Sequence, residues 1–189
     1  MTRPLSTPDW NAPPGPMSIL TEWAVSTKAF KRNRVAPQKK VLAAALCSAG
    51  YSYRDVAGMV GGMSHVAVKD AYFSLLTSLP QETKRYRRAV AIDGCDYRPS
   101  DKSFHLWLAR DIDSGEIMEF SGSPTASAED GTRFLSKVAA QCTNRPFLRM
   151  DYEGNATAGL INLDLYFQPS SGHSLIGRLG RLIMGGTRE

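Results

Sequence analysis

The apolar residues of this chain change their spacing once, at the basic run Lys84, Arg85, Arg87 and Arg88, and that change limits the fold more than any other feature. Before it the apolar residues recur at helical spacing. After it they alternate or run continuously in short bursts, as strands do. Val41, Leu42, Ala45 and Leu46 form an i, i+1, i+4, i+5 stripe that begins after Pro37 and stops at Gly50. Ser52 is placed to cap a helix over Tyr53–Val60, with Val56, Met59 and Val60 facing inward. Gly61-Gly62 breaks it, and Ser64 caps a further helix that carries Val66, Val68, Ala71, Tyr72, Leu75 and Leu76 and ends before Pro80. A shorter helical stretch, Ile19–Phe30, precedes these, behind a proline-rich leader.

Beyond the basic run, Arg88–Gly94 reads as a short apolar strand ending at the acid Asp93, and Ser103–Ala109 alternates with Phe104, Leu106 and Leu108 on one face. His105 is expected on the opposite sheet surface, with Trp107 covering that outer face. Asp111-Ile112-Asp113-Ser114-Gly115-Glu116 has the residues of a hairpin turn, returning into a strand at Ile117–Phe120. A helix over Ser127–Cys142 and a strand over Pro146–Met150, running into Asp151, follow. Helices, then a meander of strands, then a helix and another strand make an α+β chain. The reading divides it into a disordered leader (1–18), a helical region (19–80), a basic linker (81–88) and a sheet region (89–189).

The helix–Gly-Gly–capped-helix arrangement is what a helix-turn-helix requires. Its second helix would enter the major groove N-terminus first and offer Ser64, His65, Lys69 and Asp70 to bases and phosphates, with Val66, Val68 and Tyr72 packed behind. Lys39, Lys40 and Arg54 are the accompanying DNA contacts. Positive charge is clustered rather than spread. Lys28, Lys31, Arg32, Arg34, Lys39 and Lys40 form one group, the 84–88 run a second, and Arg178, Arg181 and Arg188 a third, within a net charge of +5. Such clusters neutralise phosphates. The plainer alternative is a helical bundle with solvated basic faces. Three cysteines, Cys47, Cys95 and Cys142, are too far apart in sequence to suggest a zinc site or disulfide framework, and no apolar run reaches membrane-spanning length. The expected location is cytoplasmic, nucleoid-associated when DNA-bound, with no membrane partner.

From about Phe30 to Gly154 the chain resembles insertion-sequence transposases with a DDE catalytic triad, especially those of archaea. The carrying features are the capped helix pair, the strand ending near Asp93, the aromatic-rich second strand, the Asp-x-Asp-x-Gly-Glu hairpin, the helix entered through Ser127 and the strand ending at Asp151. The resemblance implies an incomplete ribonuclease-H-like mixed sheet with flanking helices, in which the strands bearing Asp93 and Asp151 are neighbours. It implies that these two acids are catalytic and hold Mg²⁺, with Mn²⁺ as a substitute. Two such ions support in-line phosphoryl transfer, here DNA cleavage and strand transfer at element ends in double-stranded DNA, and a homodimer is kept open as a further partner. Two positions depart from the pattern. Gly94 stands where relatives commonly carry an acid, and the helix expected over His173–Met184 contains none, leaving Glu189 as the third acid. The expectation is a truncated copy, inactive alone. The alternative is a non-catalytic helix-turn-helix regulator derived from a transposase.

Overall fold

The computed structural model describes residues 15–31, 34–80 and 84–150, and the backbone of 167–169. Among these residues the chain is α+β. Four helices, α1 (Pro16–Ser26), α2 (Pro37–Ser48), α3 (Tyr53–Val60) and α4 (His65–Ser78), precede strands β1 (Ala89–Tyr97), β2 (Phe104–Asp111) and β3 (Ile117–Ser123). Helix α5 (Ala128–Ala140) and strands β4 (Phe147–Met150) and β5 (Phe167–Pro169) complete it. The sheet order is β3-β2-β1-β4-β5. β1, β2 and β3 form an antiparallel meander, whereas β4 pairs parallel to β1 and β5 parallel to β4. A parallel neighbour needs a crossover, and α5 lies in the connection that carries the chain from β3 to β4.

Three layers result. On one face of the sheet Phe104, Leu106, Leu108, Ile117 and Phe120 join Leu20, Val41, Ala45, Leu46, Val56, Val68 and Leu75 in one core, so α1–α4 and the sheet are packed on each other. On the other face Val90, Ile92, Trp107, Ala109, Met118, Leu148 and Met150 pack against Phe134, Leu135 and Val138 of α5. The close approach of α2 to the edge strand depends on a glycine. A Cβ on Gly122 would meet the Ala45 carbonyl oxygen at 2.6 Å and Ala49 Cβ at 2.8 Å. At this crossing the Gly122 N–H donates to Ser48 Oγ at 2.8 Å.

The turns follow from their sequences. In the β2–β3 hairpin Asp111 Oδ1 accepts from the N–H groups of Asp113 and Ser114, both at 2.9 Å, and Gly115 takes φ +71°. Ser127 and Asp130 form a reciprocal capping box at the start of α5.

Several expectations are corrected. α1 begins at Pro16, inside the stretch assigned to the leader, because Pro16 takes the first helical position, where its missing N–H costs nothing. It ends at Ser26, short of Phe30. His105 and Trp107 are each 1% exposed rather than on an outer surface, because α5 covers that face. Alternation alone gives parity; it does not say that both faces of a central strand are covered. Val66 does not pack and is 53% exposed. The 84–88 arginines, read as phosphate contacts, are engaged by the hairpin's acids. Arg87 is buried and pairs with Asp111 at 2.6 Å and Glu116 at 3.4 Å, Arg85 approaches Glu116 at 3.6 Å, and Arg88 pairs with Asp113. The basic segment 178–188, Asp151, the helix expected over His173–Met184 and Glu189 lie outside the described residues.

Candidate functional site

The α3–α4 unit is built by two caps and two glycines. Ser52 Oγ accepts the Asp55 N–H and Ser64 Oγ accepts the Ala67 N–H, each at 3.2 Å. These caps fix where each helix starts. Between the helices Gly61 and Gly62 take successive positive φ values of +65° and +73°. A side chain at either position would be strained, which is why the turn carries a glycine pair. Val56 on α3 and Val68, Ala71 and Leu75 on α4 are buried and hold the unit against α2.

What this leaves outward is largely polar. Ser64, His65, Lys69 and Asp70 are exposed on α4, as is Arg54 on α3. Lys39 reaches across from α2, its ammonium donating to the Gly61 carbonyl at 3.3 Å. That contact puts an exposed positive charge at the turn leading into α4. The helix N-terminus adds its own partial positive charge. Lys28, Lys31 and Arg34 are exposed in the preceding loop. Lys40 differs from its neighbour: it is buried, its ammonium sits 4.9 Å from the Phe30 ring centroid, and burial lowers its pKa. Of the expected contacts, then, Ser64, His65, Lys69, Lys39 and Arg54 are accessible, while Lys40 packs over an aromatic ring.

Asp93 is half-buried and lies in the middle of β1 rather than at its end, because pairing with β2 carries the strand on to Tyr97. Its cross-strand partner is Leu108, so both are on the face that α1–α4 cover in part. The parallel register of β1 with β4 runs from Ala89 opposite Phe147 to Ile92 opposite Met150. These last partners are the residues that immediately precede Asp93 and Asp151 in sequence. On the same face of β4, Arg149 is exposed and pairs in register with Ala91, and Phe147 is 40% exposed. Arg149 escaped the sequence reading. Its signal was a cation inside an otherwise apolar strand, Phe147-Leu148-Arg149-Met150. Among the described residues no group of three acid, histidine or cysteine side chains comes together, and no helix is long and apolar enough to cross a membrane.

A polar cleft of about 330 Å³ opens at the far end of the meander, lined by Asp96, Arg98, Ser103, His105 and Thr125 among others. His105 Nδ1 lies 2.8 Å from Asp96 Oδ1, and its ring packs tilted on Trp107 at 4.7 Å.

No family model matches the chain. An uncharacterized protein of Methanocaldococcus jannaschii is 28% identical to it over 138 residues, covering 71% of this chain and 64% of the relative. The chain thus spans under two thirds of that relative's length. Among solved structures, the cryo-EM structure of a simian T-cell lymphotropic virus intasome in complex with PP2A regulatory subunit B56 gamma aligns with a TM-score of 0.38 at 13% identity. The alignment covers 76% of this chain and 57% of that one, and the likeness is too loose to carry an argument about fold or function.

Proposed function

We propose that this chain binds duplex DNA through α4 and derives from the DDE transposases, with a ribonuclease-H-like sheet behind the helices. The observation that carries the reading is the α3–α4 unit. Its two caps and paired positive-φ glycines present Ser64, His65 and Lys69 at the start of an exposed helix, with Lys39 and Arg54 beside them. A helix N-terminus flanked by cations suits a phosphate, and the side chains of its first turns suit base edges. Replacing His65 and Lys69 together by alanine is expected to weaken binding of a duplex about tenfold and to lower the salt slope by about one for each phosphate no longer neutralised. The check is fluorescence anisotropy across a salt series. An absence of duplex binding by the intact chain at low salt would sink the reading.

The sheet supports the ancestral half of the proposal. An antiparallel meander, a crossover helix and β4 parallel to β1 make neighbours of the strand that carries Asp93 and the strand that precedes Asp151 in sequence. Carboxylates are the hard oxygen donors that Mg²⁺ takes, usually one or two of them together with substrate phosphate, so Asp93 and Asp151 fit the ion by chemistry. Mg²⁺ there would stabilise charge on the phosphate undergoing attack. The protein's part is to pair β1, which carries Asp93, with β4, which precedes Asp151 in sequence, with Arg149 available to the DNA backbone. The third acid of the resemblance falls to Glu189, after Gly185-Gly186. Because the helix expected over His173–Met184 carries no acid, cleavage of a labelled element-end duplex by this chain is expected to stay at background with Mg²⁺ or Mn²⁺. Cleavage abolished by Asp93→Asn would overturn that expectation, and Glu189→Gln would then identify the last ligand.

A further inference from the structure

Val66 stands in the second position of α4, between His65 and the Lys69–Asp70 pair, and is 53% exposed. Nothing in the fold accounts for it. The buried residues of the helix are Val68, Ala71 and Leu75, so Val66 lies off the packing face. Local helix stability does not account for it either, because a β-branched residue is among the poorer helix formers at an exposed site. What valine does offer is a stiff apolar surface. In a helix its χ1 is confined almost to one rotamer, so its methyl groups point in a fixed direction and give up little entropy when they meet a partner.

From this placement we infer that Val66 is a specificity-determining residue that reads the C5-methyl group of a thymine in the major groove. The inference rests on the proposed DNA reading and adds the base it selects. The major groove offers one apolar feature among its donors and acceptors, the thymine methyl, and small apolar side chains are what meet it. The surroundings fit a polyanion rather than a protein core. Exposed Lys69 and His65 flank Val66 on α4, Lys39 holds its ammonium against the Gly61 carbonyl at 3.3 Å, and Arg54 is exposed on the preceding helix. The helix positions agree as well: Val66 is in the first turn, the part that comes nearest the base edges when a recognition helix enters N-terminus first. Phe73, the other exposed apolar residue of α4 at 47%, lies two turns further along and is outside that reach.

The test uses the whole chain. Duplexes bound preferentially by the wild type are selected from a random-sequence pool, and each thymine of the selected site is then replaced in turn by deoxyuridine, which deletes only the methyl. For the wild type, one or two replacements are expected to weaken binding about fourfold, the cost of removing one buried methyl. For Val66→Ala the same replacements are expected to have no effect, with the salt slope unchanged because no charge was altered. Alanine favours the helix at this exposed position, so the variant is expected to fold. Wild-type protein that binds its selected duplex but is indifferent to uridine at every position would overturn the inference and leave the DNA reading standing. No duplex binding at low salt would overturn both. If Val66→Ala instead weakens self-association in sedimentation while the uridine pattern is unchanged, the residue belongs to a contact between protein copies, and the inference fails.

Discussion

Asp130 carries more of the turn into α5 than one carboxylate usually does. Its Oδ2 accepts from Ser123 Oγ at 2.6 Å, Ser127 Oγ at 2.8 Å, Thr125 Oγ1 at 3.0 Å and the Ser127 N–H at 3.3 Å. The Ser123 hydroxyl leads in pulling its pKa down, burial opposes, and the Ser127 and Thr125 donors complete the shift from 3.8 to about 2. A carboxyl whose folded pKa is depressed stabilises the fold while ionised. That contribution is complete above pH 4 or so and is lost as pH falls toward 2. It amounts to on the order of 2 kcal/mol. Urea unfolding of Asp130→Asn is accordingly expected to show a loss of about that size at pH 7 and a flatter decline between pH 4 and 2 than the wild type. Equal slopes in that window would place the acid sensitivity elsewhere. Asp111 belongs to the same class. Burial raises its pKa, but the N–H groups of Ser114 and Asp113 and the Arg87 guanidinium outweigh it and hold the carboxyl below its ordinary value.

At the scale of elements, β3 is an edge strand, and two of its outward backbone groups are covered by side chains. Gln141 Nε2 donates to the Met118 carbonyl at 3.1 Å, and the Gly122 N–H donates to Ser48 Oγ at 2.8 Å. An edge dressed in this way is a poor template for another strand. The last of these hydrogen bonds is also the joint between α2 and the sheet, and it leaves no room for a methyl group. Gly122→Ala must push Ala45 and Ala49 away or bend β3, and overpacking of this kind costs about 1–3 kcal/mol. A drop of that size in urea-unfolding free energy is expected, whereas Gly58→Ala, where an added Cβ meets nothing within 4 Å, is expected to be neutral or stabilising. An equal response at both glycines would mean that the α2–β3 approach is looser than described.

For the molecule as a whole, the helices that carry the candidate DNA contacts share a core with the sheet that carries Asp93. Phe104, Leu106, Leu108 and Phe120 pack with residues of α1, α2, α3 and α4. The Met17 N–H donates to the Tyr97 hydroxyl at 3.1 Å, and the Tyr51 hydroxyl donates to the Ser103 carbonyl at 3.2 Å. Removing the helices would expose the apolar face of β2, so the two parts are expected to unfold together. Trp23 packs on the helical side of the sheet and Trp107 on the α5 side. Within each single-tryptophan variant, retaining one or the other, the urea midpoint by fluorescence is expected to coincide with that by far-ultraviolet circular dichroism. Separated midpoints would show that the helical layer melts on its own.

The sequence by itself determined the local elements, because caps, glycines and periodicity act over a few residues. Ser52, Ser64 and Ser127 start their helices, Gly61-Gly62 makes the turn, and Asp111–Glu116 makes the hairpin. It also singled out the accessible residues Ser64, His65, Lys69, Lys39 and Arg54, since a capped helix start fixes which side chains stand at its tip. Only the tertiary structure decided which cations were free and which apolar residues were buried. Arg87 looked like part of a phosphate-binding run until the hairpin brought Asp111 and Glu116 to it from 24 and 29 residues away. Lys40 and Lys39 are adjacent, yet one packs over Phe30 and the other reaches the α3–α4 turn, because successive residues of a helix point about 100° apart. Val66 sat within a plausible apolar stripe, and His105 and Trp107 on what read as an outer face. Their environments depend on what covers each face, α2 and α3 in one case and α5 in the other. Periodicity records which residues share a face, but the burial of that face is set by elements distant in sequence.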